Sequence, residues 1–223
     1  MKNALFIVFA LFTSLLFSQE TCEKKDIKVG LVLSGGGAKG FAHVAVLKVL
    51  EEAGVRVDYI GGTSMGAIVG GLYAAGYSAN ELDSIIRTVD FNQILSNNTP
   101  RKSKPFYEKD DGEKYALTLP IRKRSVGIPK AMSEGQNVLN LLTDLTQHVN
   151  SIHDFNKLPI PFLCIATNLE TGKQEILNQG FLPLAIKASG SLPTLLAPVE
   201  IDGKLLTDGG VVNNFPVEEV KSL

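Results

Sequence analysis

Gly62-Thr63-Ser64-Met65-Gly66 matches G-x-S-x-G and holds the residue best placed for chemistry. An apolar run precedes it and small residues follow. A strand that turns sharply into a helix has this composition. The flanking glycines remove Cβ atoms where backbone would collide, so Ser64 can stand at the tip of a tight turn. A serine lifted there, above a helix N-terminus, is a candidate nucleophile. Taken alone, the pattern suits an ordinary small-residue turn equally well.

A second glycine stretch, Gly35-Gly36-Gly37-Ala38-Lys39-Gly40, fits G-x-G-x-x-G between a strand pattern and a helix pattern. A dinucleotide site would also need an acidic ribose clamp at the end of the next strand. Asp58 is near that spacing but falls at the strand's start, and Gly61-Gly62-Thr63-Ser64 occupies its end. The loop also lacks the G-K-[ST] ending of a P-loop. No nucleotide cofactor is therefore expected. An oxyanion hole suits the loop better. Consecutive glycines at a helix N-terminus expose unpaired N–H groups to one point, and with neighbouring first strands that point lies beside Ser64. Gly35, Gly36 and Gly37 would supply the donors. Lys39 either adds positive charge there or is an ordinary solvated lysine.

Serine needs a base. The three histidines are His43, His148 and His153, and none follows Asp208, so a Ser…Asp…His order cannot be completed within these residues. Asp208 is the better candidate. It follows a strand pattern, and Gly209 and Gly210 let its backbone approach another turn closely. Asp-Gly is also a common plain turn. No calcium-ligand pattern stands out, and a serine–carboxylate pair needs no metal.

These residues hang on an alternation of elements. Ile27 to Leu33 reads as a strand, and Phe41, Val44, Leu47 and Leu50 as one face of a helix stopped by Gly54. Val57 to Ile60 is the second strand, and Ala67 to Ala75 the helix after the serine turn. Ser78 and Glu81 form a capping box for a helix through Leu82, Ile85, Ile86 and Val89. Such an alternation predicts a parallel sheet covered by helices, with ligands at the carboxyl ends of strands. From Phe91 to Met132 the periodicity fails. This stretch holds two basic clusters (Arg101, Lys102, Lys104 and Arg122, Lys123, Arg124), with Tyr115 to Ile121 alternating like a hairpin arm between them. It reads as solvated loops or as a basic rim for anionic lipid headgroups.

Ser133 is then expected to cap a helix through Val138, Leu141, Leu142, Leu145 and Val149. Pro161 to Ala166 is a buried strand, returning through Glu170-Thr171-Gly172-Lys173 to a strand at Gln174 to Leu177. Leu182 to Ser189 is helical. Leu196 to Ile201 and Lys204 to Thr207 bracket Asp202-Gly203, a hairpin signal. Pro216 suits the first turn of a last helix beginning at Val217. That helix runs barely two turns, where a parallel sheet would gain a strand, so the chain is expected to be the front part of a longer protein.

The glycine stretch, the serine turn and Asp208-Gly209-Gly210, in that order, resemble the three motifs of patatin-like phospholipases. The resemblance covers about residues 27 to 220, including A-T-N-L-E-T-G at 166 to 172 and S-L-P at 191 to 193. It implies an α/β class protein with a three-layer α/β/α fold and a mainly parallel central sheet. It also implies a Ser-Asp dyad without histidine that hydrolyses lipid acyl esters. Ser64 would be the nucleophile and Asp208 the base, with Gly209 and Gly210 completing the base motif. The N–H groups around Gly36 and Gly37 would form the oxyanion hole, and Gly62, Thr63, Met65 and Gly66 the elbow. The family's glycine motif often carries arginine where this chain has Lys39, which keeps the charge but loses the planar fork.

Length and composition fit this reading. The chain's 223 residues suit one domain with a sizeable core, and a net charge of −1 does not suggest nucleic acid. Its two cysteines, Cys22 and Cys164, make no disulfide framework. Lys2, the apolar run Ala4 to Phe17 and the small Ser18 read as a signal peptide over residues 1–18. The run is shorter than the roughly 20 residues a membrane span needs. Residues 19–26 are then a linker and 27–223 the acyl hydrolase domain. The expected protein is exported to the periplasm, the outer membrane or the medium. It would work on phospholipid or another acyl-ester lipid at a membrane surface, without cofactor. The alternative is a catalytically silent lipid-binding or export module on the same fold.

Overall fold

The computed structural model describes residues 27–95, 105–106, 121–122, 125–126 and 131–222. The expected signal peptide and linker, Cys22, the basic residues at 101, 102, 104, 123 and 124 and nearly all of the expected 115–121 strand lie outside them.

The central sheet contains β1 (Gly30–Leu33), β2 (Tyr59–Thr63), β5 (Phe162–Asn168), β6 (Gln174–Leu177), β7 (Val199–Ile201) and β8 (Lys204–Asp208). A separate two-stranded ribbon pairs β3 (Ile121–Arg122) with β4 (Ser125–Val126). β1, β2 and β5 are parallel to one another, while β6, β8 and β7 add antiparallel pairs beyond them. Every residue of β5 is buried, as a strand covered on both faces must be.

Side-chain alternation divides the core. Leu31, Leu33, Ile60, Phe162 and Cys164 face α1 (Ala42–Glu52), α2 (Met65–Ala74), α3 (Ala79–Thr88), α5 (Gln136–Leu145) and α6 (Leu182–Ser189). Val32, Leu163 and Ile165 face Val220 of α7 (Val217–Lys221). α4 (Phe91–Leu95) sits at the margin, where Phe91 packs on Phe41 with ring centroids 5.1 Å apart. α2 is apolar nearly all round because it lies between the sheet and two other helices. The α3 capping box forms as expected: Glu81 N–H donates to Ser78 Oγ, and Ser78 N–H donates to Glu81 Oε2 at 2.8 Å. Cys164 is fully buried, and burial pushes its thiol far up. Among the described residues no helix is long and apolar enough to cross a membrane.

Three local expectations change. The second strand runs to Thr63, so Gly61 and Gly62 are strand residues rather than turn residues. A Cβ on Gly62 would lie 2.5 Å from the Gly66 carbonyl oxygen, so close packing of α2 on the strand requires the glycine. The helix after Ser133 is capped by Gly135 in a left-handed conformation; Ser133 Oγ instead accepts the Gly135 N–H. The glycine loop enters α1 through a 3-10 turn, Gly37–Phe41. The Asp202-Gly203 hairpin holds, with positive φ at both residues as a I′ turn requires.

Candidate active site

β5 determines where the reactive residues meet. Its Ile165 pairs with Thr63 of β2 and Ile176 of β6, while its Ala166 pairs with Glu175 of β6 and Asp208 of β8. A strand residue has one neighbour on each edge. β2 and β8 therefore share one edge of β5, β6 takes the other, and the ends of β2 and β8 point at each other. Ser64 follows the last residue of β2, and Asp208 is the last residue of β8. Across this gap Ser64 Oγ donates to Asp208 Oδ2 at 2.5 Å.

Each partner is held by several contacts. Ser64 has φ 54° and ψ −122°, a conformation that costs a non-glycine residue about 1–3 kcal/mol. Its N–H donates to Ser189 Oγ at 3.0 Å, and its carbonyl accepts the first N–H bonds of α2, from Ala67 and Ile68. The preceding Thr63 is fully buried, with its hydroxyl donating to the Asn213 carbonyl at 3.0 Å. Asp208 donates its N–H to the Ser191 carbonyl at 3.0 Å, and its own carbonyl accepts the Thr167 hydroxyl at 2.8 Å. Its Oδ1 accepts the Gly210 N–H at 2.7 Å. Gly209 lies so close to β5 that a Cβ would stand 2.2 Å from the Ile165 carbonyl oxygen.

Asp208 is only 3% exposed. Burial raises its carboxyl above the ordinary range, and the bonds from Ser64 and Gly210 offset part of that rise. Among the described residues no cation pairs with it. A carboxylate in this setting is a better proton acceptor than a solvated one.

The glycine loop reaches the same point, since a Cβ on Gly35 would lie 2.8 Å from the Ser64 Cβ. The three expected donors are not equivalent, however. The Gly35 N–H already donates to Asn214 Oδ1 at 3.0 Å, which removes it from the set. Among the described residues the Gly36 and Gly37 N–H groups have no acceptor, and both glycines are exposed. Met65 opens α2, so its N–H has no acceptor within the helix. Lys39 is exposed on the 3-10 turn, and among the described residues no carboxylate pairs with its ammonium.

The histidines serve backbone carbonyls instead: His43 contacts that of Ser34, His148 that of Ala75 and His153 that of Gly180. Asp58 lies at the far end of β2, bound to the Val29 N–H and paired with Arg56. Among the described residues no cluster of His, Cys, Asp and Glu is fit to hold a metal.

Sequence reasoning assigned no role to Ser189, Ser191, Thr167 or Asn214. Ser189 lies 125 residues from its partner Ser64, and Asn214 lies 179 residues from Gly35. No local pattern marks such pairs, and only the segments holding Thr167 and Ser191 stood out.

Comparison with known proteins identifies the family. A family model described as patatin-like phospholipase matches residues 31–221. Lysophospholipase NTE1 of Saccharomyces cerevisiae is 33% identical over 210 residues, covering 87% of this chain and 10% of the yeast protein. An NTE family protein of Mycobacterium bovis is 33% identical over 193 residues, covering 86% of this chain and 45% of the relative. This chain thus spans a minor part of the length of either. Among solved structures, VipD from Legionella pneumophila superposes with a TM-score of 0.55 at 19% identity, covering 85% of this chain and 47% of VipD. ExoU of Pseudomonas aeruginosa, solved with SpcU, gives 0.50 at 21% identity, covering 74% and 38%. At these identities the two structures speak for the fold alone.

Proposed function

Because the chain belongs to the patatin-like phospholipase family, we propose that it is a serine lipid acyl hydrolase working through Ser64 and Asp208. The observation that carries this reading is the direct Ser64–Asp208 bond beside a glycine loop with unoccupied N–H groups.

The chemistry follows from the arrangement. Ser64 Oγ attacks the ester carbonyl carbon while its proton passes to Asp208 Oδ2. The negative oxygen of the tetrahedral intermediate takes hydrogen bonds from the Gly36 and Gly37 amides. The bond to the leaving alcohol breaks, and Asp208 returns the proton to that oxygen. Water then gives a proton to Asp208 and attacks the acyl-serine. Fatty acid leaves, and Ser64 regains its proton.

A lipid substrate is supported by the exposed apolar side chains beside the dyad: Val211, Val212 and Phe215 after Asp208, and Leu192 after the α6 turn. They offer contacts to acyl chains at a membrane surface. The relatives named lysophospholipase make a single-chain phospholipid the first ester to try. The test is fluorophosphonate labelling, followed by mass spectrometry of products from vesicles of lysophosphatidylcholine or diacyl phosphatidylcholine. Labelled Ser64 and released fatty acid are expected. An unlabelled Ser64 and intact lipids would instead favour the silent module.

Export belongs to the same reading and is supported by the basic start and apolar run of residues 1–18. Protein recovered outside the cytoplasm of producing cells should begin at Gln19; an intact Met1 start there would count against it.

A further inference from the structure

The turn that ends α6 touches both members of the dyad. Ser189, the last residue of that helix, is fully buried, and its Oγ accepts the Ser64 N–H at 3.0 Å. Two residues on, the Ser191 carbonyl accepts the Asp208 N–H at 3.0 Å and the Thr207 hydroxyl at 2.7 Å. Ser191 is itself fully buried, and its hydroxyl donates back to the Lys187 carbonyl at 2.8 Å, wrapping the turn onto its own helix. Residues 189–191 thus hold the nucleophile by a side chain and the base by the main chain.

Ser64 needs such a hold. Its φ of 54° lies where a residue with a Cβ is disfavoured, and such conformations persist only when the surroundings over-determine them. Ser64 lies past the end of β2, and Ser189 Oγ supplies the acceptor its N–H would otherwise lack. Without it, the strained residue loses a restraint on its main chain. Oγ and Oδ2 would then no longer be kept in register. The same contact withdraws the Ser64 N–H from oxyanion duty.

We propose that Ser189 is a positioning residue for the nucleophile, and that the 189–191 turn is a clamp setting the Ser64–Asp208 separation. The proposal rests on Ser64 being the nucleophile. Its test compares Ser189→Ala and the near-isosteric Ser189→Cys, whose thiol is a poor acceptor, with Ser64→Ala as the control. A soluble short-chain ester and a fluorophosphonate are the probes. Both Ser189 variants should lower kcat by about 10- to 100-fold, the scale on which a misplaced reacting atom costs rate. KM should stay within about twofold of the native value, because the contact touches no substrate. Labelling of Ser64 should slow by the same factor as kcat. Ser189→Thr, which keeps the hydroxyl, should recover part of the loss. If Ser189→Ala does not fold, the Cys variant carries the comparison. Wild-type kcat and labelling in a folded Ala or Cys variant, or a loss confined to KM, would overturn the proposal. Hydrolysis that survives Ser64→Ala would instead refute the nucleophile assignment.

Discussion

Ser64→Ala should lower kcat by about 10⁴-fold or more, since deleting an activated nucleophile leaves only binding and oxyanion stabilisation. Asp208→Asn should cost about as much, because a carboxamide cannot take the serine proton. The two variants should differ in stability. Burial raises the Asp208 carboxyl, so the folded protein holds that proton more tightly than the unfolded chain does. The native state then loses stability as pH rises from the ordinary carboxylate value through the raised one, and the loss is complete above it. Asp208→Asn removes this penalty. Its Oδ1 can keep the Gly210 N–H, and its amide nitrogen can donate to Ser64 Oγ. Thermal melts near neutral pH should therefore place Asp208→Asn above the wild type, by roughly 2–4 °C for each kcal/mol recovered. In the wild type, kcat/KM should rise with pH along one acid limb whose midpoint lies above that of a free aspartate. Near-full activity in Asp208→Asn would sink the dyad, and a limb at or below the ordinary aspartate value would sink the account of its burial.

Gly66→Ala should be the most damaging of the motif's conservative changes. A Cβ there would stand 2.1 Å from the Leu33 carbonyl oxygen and 2.7 Å from that of Ser34. Both are main-chain atoms, so no flexible side chain can give way. Either α2 lifts off β1 or the glycine loop is pushed aside. Forced overpacking of this kind costs about 1–3 kcal/mol and sometimes more. That corresponds to a melting point lower by roughly 2–12 °C for a domain of this size. Hydrolysis should fall further than the melting point alone explains, because the atoms displaced lead into the glycine loop beside Ser64. Gly36→Ala is the contrast. Its φ of 174° suits any residue, and a Cβ would meet nothing nearer than 3.7 Å, so its melting point should stay near the native one. A Gly66→Ala protein with native stability and rate would show that the approach of α2 to β1 is looser than described.

Much of this was legible in the chain itself. The Leu182–Ser189 helix, the Asp202-Gly203 hairpin and the Ser78–Glu81 capping box depend on neighbours in sequence, and they form where composition and periodicity place them. Element ends were less legible. Gly61 and Gly62 resemble turn residues, yet they pair as strand with β1 and β5, and they are glycine because Val220 and Gly66 pack where side chains would be. Gly35 looked equivalent to Gly36 and Gly37, but Asn214 claims its amide.

The serine turn, the glycine loop and Asp208 as candidates were determined by sequence alone. Each is a matter of residue type and short spacing. Tertiary structure decided that β2 and β8 meet end to end along one edge of β5, placing Ser64 Oγ 2.5 Å from Asp208 Oδ2. It also decided that the end of α6 holds both residues. Those outcomes depend on strand order and on hydrogen bonds spanning more than a hundred residues, as between Ser64 and Ser189. Local propensity carries no record of contacts at that separation, because only the assembled fold brings the partners within reach.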